Sequence, residues 1–412
     1  MKRRLFAALA FVAVAAAGWW VGRSGYGPSV GRRELRIEEA PVGGLATPSG
    51  FVPPALADGP VRNVVLLVGD GFGIAQAAAA RVRAFGPDGR FVFERFPALG
   101  LMATHPIGDV VTNSESGATA FASGEKTVNG RVGLSPEGRR LESLVERARA
   151  AGWLTGVVTS TQIFDATPAS FLAHVERRRD YPAVIDQIAA SGVDLLAGGG
   201  REGFLPATGE GERTDGRDLL AEAEARGITV VGDFAALEDA QRLPLWALFP
   251  GGRLGDGPAR PDVVDLAARA LDLLAAESER RGVGFFLVVE EEEIDSGAHN
   301  NDLGRMTTGV LRFDRAAELA ARFAAERGDT LVVVLADHST GGLAIDQSST
   351  AERLRVTWAT GRHNGEPVPV WAYGPPAAAA RFVGYHDNTE IHDRIAAAAG
   401  LADATRPAEA TP

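Results

Sequence analysis

Short apolar runs alternate along the chain with longer stretches in which apolar residues recur at helical spacing. The runs stand at 63–68 (NVVLLV), 154–159 (LTGVVT), 285–289 (FFLVV), 331–336 (LVVVLA) and 368–373 (VPVWAY). Most are rich in β-branched residues and do not alternate in polarity, which predicts strands covered on both faces. Helical patterns lie between them at 141–151, 182–191, 261–281 and 314–327. This order predicts an α/β fold: one central, mostly parallel sheet with helices on both faces, in a single domain over residues 61–402.

The ends of the chain break this pattern. Lys2, Arg3 and Arg4 precede an uncharged run from Leu5 to Val21 with Ala-x-Ala sites ending at Ala15 and Ala17. Residues 1–21 therefore read as a cleaved signal peptide or a membrane anchor, and the protein as exported to a periplasmic or extracellular location. Seventeen helical residues reach about 26 Å, just short of a hydrocarbon core of about 30 Å, and Trp19 and Trp20 suit an interface, so both readings stand. Residues 22–60, with Pro41, Pro48, Pro53, Pro54 and Pro60, read as a Gly/Pro-rich linker of a length that suits a membrane tether. Residues 403–412 read as a disordered tail.

Composition narrows the chemistry. The 412 residues are 45% hydrophobic and 23% charged, which is globular, and the net charge is −11. With no basic surplus and no dense Lys/Arg run, nucleic acid is not the main partner. The chain has no cysteine. Disulfides, thiolate metal sites and cysteine nucleophiles are excluded, so any metal must be held by oxygen and imidazole.

Ligands gather at the carboxyl ends of strands in sheets of this kind. There the sequence places Gly69-Asp70-Gly71-Phe72-Gly73, Asp165-Ala166-Thr167, Glu290 followed by Asp295-Ser296-Gly297-Ala298-His299, and Asp337-His338. Taken singly these are ordinary, since an Asp after a strand commonly caps a helix or a turn. Four strand ends that deliver five carboxylates and two imidazoles to one rim point instead to cations, zinc for mixed sets and magnesium for all-oxygen ones. Ser114, in VTNSESGATA, falls where a helix N-terminus would favour an anion, and is the candidate nucleophile. Arg177-Arg178-Arg179 supplies guanidinium groups suited to phosphate.

These segments together resemble the alkaline phosphatases, a family of metal-dependent phosphomonoesterases. The resemblance runs in order through NVVLLVGDGFG, VTNSESGATAFASGEKT, DATPASFLAHVERRR, AGGG, FFLVVEEEEIDSGAH, LADHSTGGL and GRHNGEPVPVWAYGP, over roughly residues 61–400. It implies an alkaline-phosphatase-like three-layer sandwich that hydrolyses phosphate monoesters to alcohol and inorganic phosphate through a phosphoserine on Ser114. Two zinc ions would be held, one by Asp295, His299 and His363, the other by Asp70, Asp337 and His338. One magnesium ion would take Thr167, Glu290 and Asp165, with Asp70 as a bridge, and Arg178 would bind the phosphate oxygens. Arg177 and Arg179 would be surface residues and His174 structural. A homodimer is implied by the family alone.

Three departures carry expectations of their own. Asn113 stands where many members have Asp, which predicts a less restrained Arg178 and weaker phosphate binding. Ser296 stands where others carry Lys, His or Trp, and a gap of 24 residues between His338 and His363 predicts a compact form. Two alternatives differ in class. A phosphodiesterase of the same superfamily would keep both zinc sets but usually lacks the magnesium set and the arginine. A non-catalytic exported phosphate-binding protein would lack a ligand or the nucleophile.

Overall fold

The computed structural model describes residues 35–255 and 261–401. The described residues from Ile37 onward form one compact unit, which carries the ten-stranded sheet. The expected signal or anchor at 1–21 and the tail at 403–412 lie outside the described residues. Among the described residues no helix is long and apolar enough to cross a membrane.

In chain order the strands are β1 (Arg36–Pro41), β2 (Asn63–Gly69), β3 (Ala98–Ala103), β4 (Leu154–Gln162), β5 (Leu195–Gly199), β6 (Thr229–Val231), β7 (Leu245–Leu248), β8 (Phe285–Glu291), β9 (Thr330–Leu335), β10 (Ser339–Thr340), β11 (Leu343–Ile345), β12 (Arg353–Trp358), β13 (His363–Asn364), β14 (Val368–Tyr373) and β15 (Gly384–Asp387). Ten of them form one sheet in the order β15-β3-β14-β9-β2-β8-β4-β5-β7-β6. Only β14 runs against its neighbours, so the sheet is mostly parallel as predicted. All residues of β2, β8, β9 and β14 are buried, which explains why these runs carry no polar alternation.

Helices cover the sheet in two groups. Ile74–Phe85, Val263–Arg281 and Leu303–Arg327 pack together as one, and Ser114–Ser123, Leu144–Ala150, Ala166–Leu172 and Asn388–Ala398 as the other. The longest begins at Leu303, eleven residues before the predicted start at 314, because Asp302 caps it by accepting from Arg305 N at 2.9 Å.

The stretch 22–60 differs from the predicted linker in its described part. β1 joins a three-stranded sheet with β12 and β11. Farther on, the Arg95 guanidinium donates to the carbonyls of Ser49 and Phe51, and Tyr373 Oη to that of Pro54 at 3.0 Å. Proline removes N–H donors but leaves acceptors, so a proline-rich segment can still be bound along a domain through its carbonyl groups.

Beneath the sheet's carboxyl rim an aromatic cluster fixes the loop after β2. Fully buried Phe72 meets Phe313 at 5.4 Å and Phe93 at 5.6 Å between ring centroids. Each such pair adds about 0.5–1.5 kcal/mol beyond burial. Asp70, two residues earlier, is thereby anchored at the rim.

Candidate active site

β2 and β9 are adjacent, and their carboxyl ends supply a first set of ligands. Asp70 follows β2 directly, and Asp337 and His338 follow β9. All three are buried, with polar atoms within 4.8 Å of one another. His338 Nε2 lies 3.2 Å from Asp337 Oδ2 and 3.6 Å from Asp70 Oδ1. Asp337 Oδ1 accepts from Gly71 N and His338 N, whereas Asp337 Oδ2 and Asp70 Oδ1 carry no hydrogen bond. Burial pushes both carboxyls upward and the facing carboxylates add to it, Asp70 well above its ordinary range and Asp337 to about 7. Burial keeps His338 neutral, well below the usual imidazole range.

A second set stands nearer the solvent. Asp295 and His299 lie one turn apart on Glu293–His299, and His363 comes from β13, where it pairs across to Thr340 of β10. His299 Nδ1 faces the Gly361 carbonyl and His363 Nδ1 the Thr112 carbonyl, each at 2.9 Å. A ring whose Nδ1–H is given to a carbonyl presents its Nε2 lone pair. The two Nε2 atoms converge to 3.1 Å, with Asp295 Oδ2 at 3.0 Å from that of His299. The hydrogen bond to Asp295 raises His299 to about 9, while burial lowers His363. Burial opposes ionisation of Asp295, but the surrounding imidazoles outweigh it and hold the carboxyl low.

The two sets touch. Thr340 Oγ1 lies 2.5 Å from Asp295 Oδ1 and 3.2 Å from His338 Nδ1. Gly71, at φ +69°, passes between them, and a Cβ there would fall 2.6 Å from Asp295 Oδ1. Glycine is required on both counts.

Ser114 opens the helix Ser114–Ser123 and its Oγ lies 3.2 Å from His338 Nε2. Gly117, one turn on, lets this helix approach Asp337, whose carbonyl would stand 2.9 Å from a Cβ. Ser114 thus faces the inner set along the helix axis, where N–H groups favour an anion. Arg178 reaches the same cleft of ≈ 710 Å³, lined also by Asp70, Asp165, Asp295 and His363.

Behind it lies an all-oxygen group. Asp165 caps the helix Ala166–Leu172, which carries fully buried Thr167 in its first turn. Glu290, at the end of β8, accepts from Thr159 Oγ1 at 2.6 Å. Burial raises its carboxyl to about 8, the Asp165 charge adds to this, and the Thr159 and Thr167 hydroxyls oppose it.

These residues fit divalent cations on chemical grounds. Two imidazole nitrogens and a carboxylate oxygen that converge on one point offer a ligand set that a cation can take in place of a proton, and buried carboxylate oxygens without donors need a positive partner. The two Asp/His sets match zinc preferences, and Asp165, Thr167 and Glu290 match magnesium.

Residues 61–354 match the family model described as alkaline phosphatase. The chain belongs to the alkaline phosphatase family. It is 33% identical to the streptomycin-6-phosphate phosphatase of Streptomyces griseus, over 91% of this chain and 97% of that protein. Against the alkaline phosphatase of Escherichia coli the identity is 30%, over 84% and 88% respectively. Its fold matches the alkaline phosphatase of the Antarctic bacterium TAB5 with a TM-score of 0.73 and 30% identity, covering 85% of this chain and all of that one. A variant of the TAB5 enzyme is described with Mg bound in the M3 site. The alkaline phosphatase family is metal-dependent and acts on phosphate monoesters.

The structure brings every predicted site residue to this one rim: Ser114, Arg178, Asp70, Asp165, Thr167, Glu290, Asp295, His299, Asp337, His338 and His363. Arg177 and Arg179 are exposed as predicted and also line the cleft. His174 Nε2 lies 2.8 Å from the Leu141 carbonyl, away from the rim. Asn113, expected to leave Arg178 less restrained than an acid would, does not leave it without restraint. Arg178 is held by Glu115 at 2.7 Å and Asp165 at 2.8 Å, and the Asn113 side chain donates to Glu115. At Ser296 the hydroxyl donates to Glu292 and accepts from Arg253 Nη2 at 2.9 Å. Sequence reasoning missed Glu115 and Thr340, although both stand inside the quoted motifs, because nothing in a sequence shows which way a side chain points.

Proposed function

We propose that this chain hydrolyses phosphate monoesters through a phosphoserine on Ser114, with two zinc ions and one magnesium ion. One observation carries the reading: the Ser114 hydroxyl, 3.2 Å from His338 Nε2, stands at a helix N-terminus on the same cleft as two convergent Asp/His sets and Arg178. Asp295, His299 and His363 would hold one zinc, Asp70, Asp337 and His338 the other, and Asp165, Thr167 and Glu290 the magnesium. When bound, these cations supply charge for the attacking and leaving oxygens of an in-line displacement.

The residues of the chain do the positioning that phosphoryl transfer demands. Arg178 binds two phosphate oxygens and sets phosphorus opposite Ser114 Oγ. The Ser114 Oγ–P bond forms as the P–O bond to the alcohol breaks. Water then displaces Ser114 Oγ, returning the hydroxyl and releasing phosphate. Backbone N–H groups at the start of Ser114–Ser123 favour the anion throughout.

Exposed Glu176, Arg177 and Arg179 put both signs on the cleft lining, which fits broad acceptance of leaving groups over a dedicated one. Export, with an N-terminal tether or a cleaved signal, and a homodimer belong to the same proposal; N-terminal sequencing and sedimentation of the exported protein test them.

With zinc and magnesium supplied, the protein is expected to release p-nitrophenol from its phosphate monoester and far more slowly from the bis-ester, and Ser114→Ala to lose about 10³-fold or more in kcat. No turnover of the monoester would refute the reading, and preferred turnover of the bis-ester would point to a diesterase.

A further inference from the structure

Arg178 is gripped at both ends. Its Nη1 donates to Glu115 Oε2 at 2.7 Å and its Nη2 to Asp165 Oδ1 at 2.8 Å. The two acids are unlike: the Asp165 side chain is 28% exposed, that of Glu115 is 0% exposed. Glu115 Oε1 accepts from Gly130 N at 2.6 Å and from Asn113 Nδ2 at 3.2 Å. Asn113 is itself fixed, its N–H donating to Asn129 Oδ1 at 2.9 Å. Every donor around this buried carboxylate is therefore neutral except one, the guanidinium. A buried charge is tolerated when paired and fully hydrogen-bonded, and among the described residues Arg178 is the charged donor that supplies the pairing.

Glu115 also follows Ser114 directly in the first turn of the helix. Successive side chains of a helix diverge by about 100°, so Ser114 turns to His338 while Glu115 turns to Arg178. The backbone between them is a rigid link from the hydroxyl to the guanidinium.

We propose that Glu115 is a positioning residue that fixes Arg178 relative to the Ser114 hydroxyl, with Asn113 supplying a neutral donor on the other side of the serine. This rests on the reading of Ser114 and Arg178 given above. It has a consequence for residue 113. A carboxylate there would replace the 3.2 Å donor contact to Glu115 Oε1 by two like charges, so an acid is compatible with position 113 only when position 115 is neutral.

The test uses the full chain loaded with zinc and magnesium, and measures kcat, KM and the competitive inhibition constant of inorganic phosphate. Glu115→Ala is expected to raise KM and the phosphate constant about tenfold, because the guanidinium is no longer held in place. Glu115→Gln keeps the volume and the acceptor for Gly130 N but turns an amide NH2 to Arg178, so a rise there too reports the lost carboxylate oxygen facing the guanidinium and not a collapsed fold. In an Arg178→Ala background, Glu115→Ala should change the constant by less than about twofold, because its effect passes through the guanidinium. Asn113→Asp alone should weaken phosphate, and Asn113→Asp with Glu115→Ala should recover most of the loss of Glu115→Ala. The assignment is overturned if both Glu115 variants leave the phosphate constant unchanged, or if the loss is as large without Arg178. A phosphate constant unmoved by Arg178→Ala alone would instead overturn the reading of the cleft, and this assignment with it.

Discussion

The two Asp/His sets have the same composition in reverse proportion and opposite surroundings. Asp70, Asp337 and His338 are wholly buried beside Ser114, whereas in the other set the His299 side chain is 38% exposed on the cleft. The inner set combines two acids with one imidazole kept neutral by burial; the outer combines one acid with two imidazoles turned by backbone carbonyls. A ligand set closed by the fold is fixed by packing, while an open one is fixed by its hydrogen bonds and can exchange what it holds. On the proposed function the first would serve the Ser114 hydroxyl and the second the departing ester oxygen and the water that replaces it.

The largest effect expected from this contrast is on turnover. Asp337→Asn or His338→Ala should lower kcat by about 10³-fold, the several kcal/mol that a cation contributes at the reacting oxygens, and excess zinc should not restore it. His299→Ala should cost about 10- to 100-fold and be partly restored by excess zinc. Equal losses with equal rescue would break the distinction.

A second effect concerns pH. Zinc needs the neutral imidazole, and His299 in the metal-free protein is raised to about 9. Below that value a proton occupies the ligand, so affinity at the outer set should fall as pH falls, by about tenfold per unit between pH 8 and 6. Zinc titrations at several pH values should show that slope and lose it in His299→Ala. The inner set should follow its raised carboxyls, Asp337 at about 7 and Asp70 also upward, and be unmoved by that variant.

The smallest effect sharpens the comparison by joining its halves. Thr340 Oγ1 contacts Asp295 Oδ1 and His338 Nδ1. Thr340→Val should weaken zinc at both sets by less than about tenfold. A change confined to one set, read by metal content after dialysis, would show that the threonine does not couple them.

Much of this was legible in the chain. β2, β4, β8, β9 and β14 are dense in branched or aromatic residues, and their buried, non-alternating patterns could be read directly. β3 (ALGLMA) and β5 (LLAGG) could not, because alanine and glycine have little strand propensity and only pairing with neighbours makes them strands. Most metal-type ligands were legible as Asp and His after strand ends, since the end of a strand fixes where the next residues lie; His363, inside β13, was reached only through the family resemblance. Glu115 was not, because whether it or Asn113 meets Arg178 depends on helix phase.

The sequence by itself determined the α/β order, the absence of thiolate chemistry, and the rim to which the five carboxylates, His299 and His338 are delivered. Periodicity and residue chemistry are local properties, so a linear reading reaches them. Only the tertiary structure decided that His299 and His363 turn their Nε2 atoms to one point, that one Asp/His set is closed and the other open, that the proline-rich stretch is bound in its described part, and that Glu115 grips the arginine. Each of these depends on groups distant in sequence and on side-chain direction, which backbone pairing and packing set.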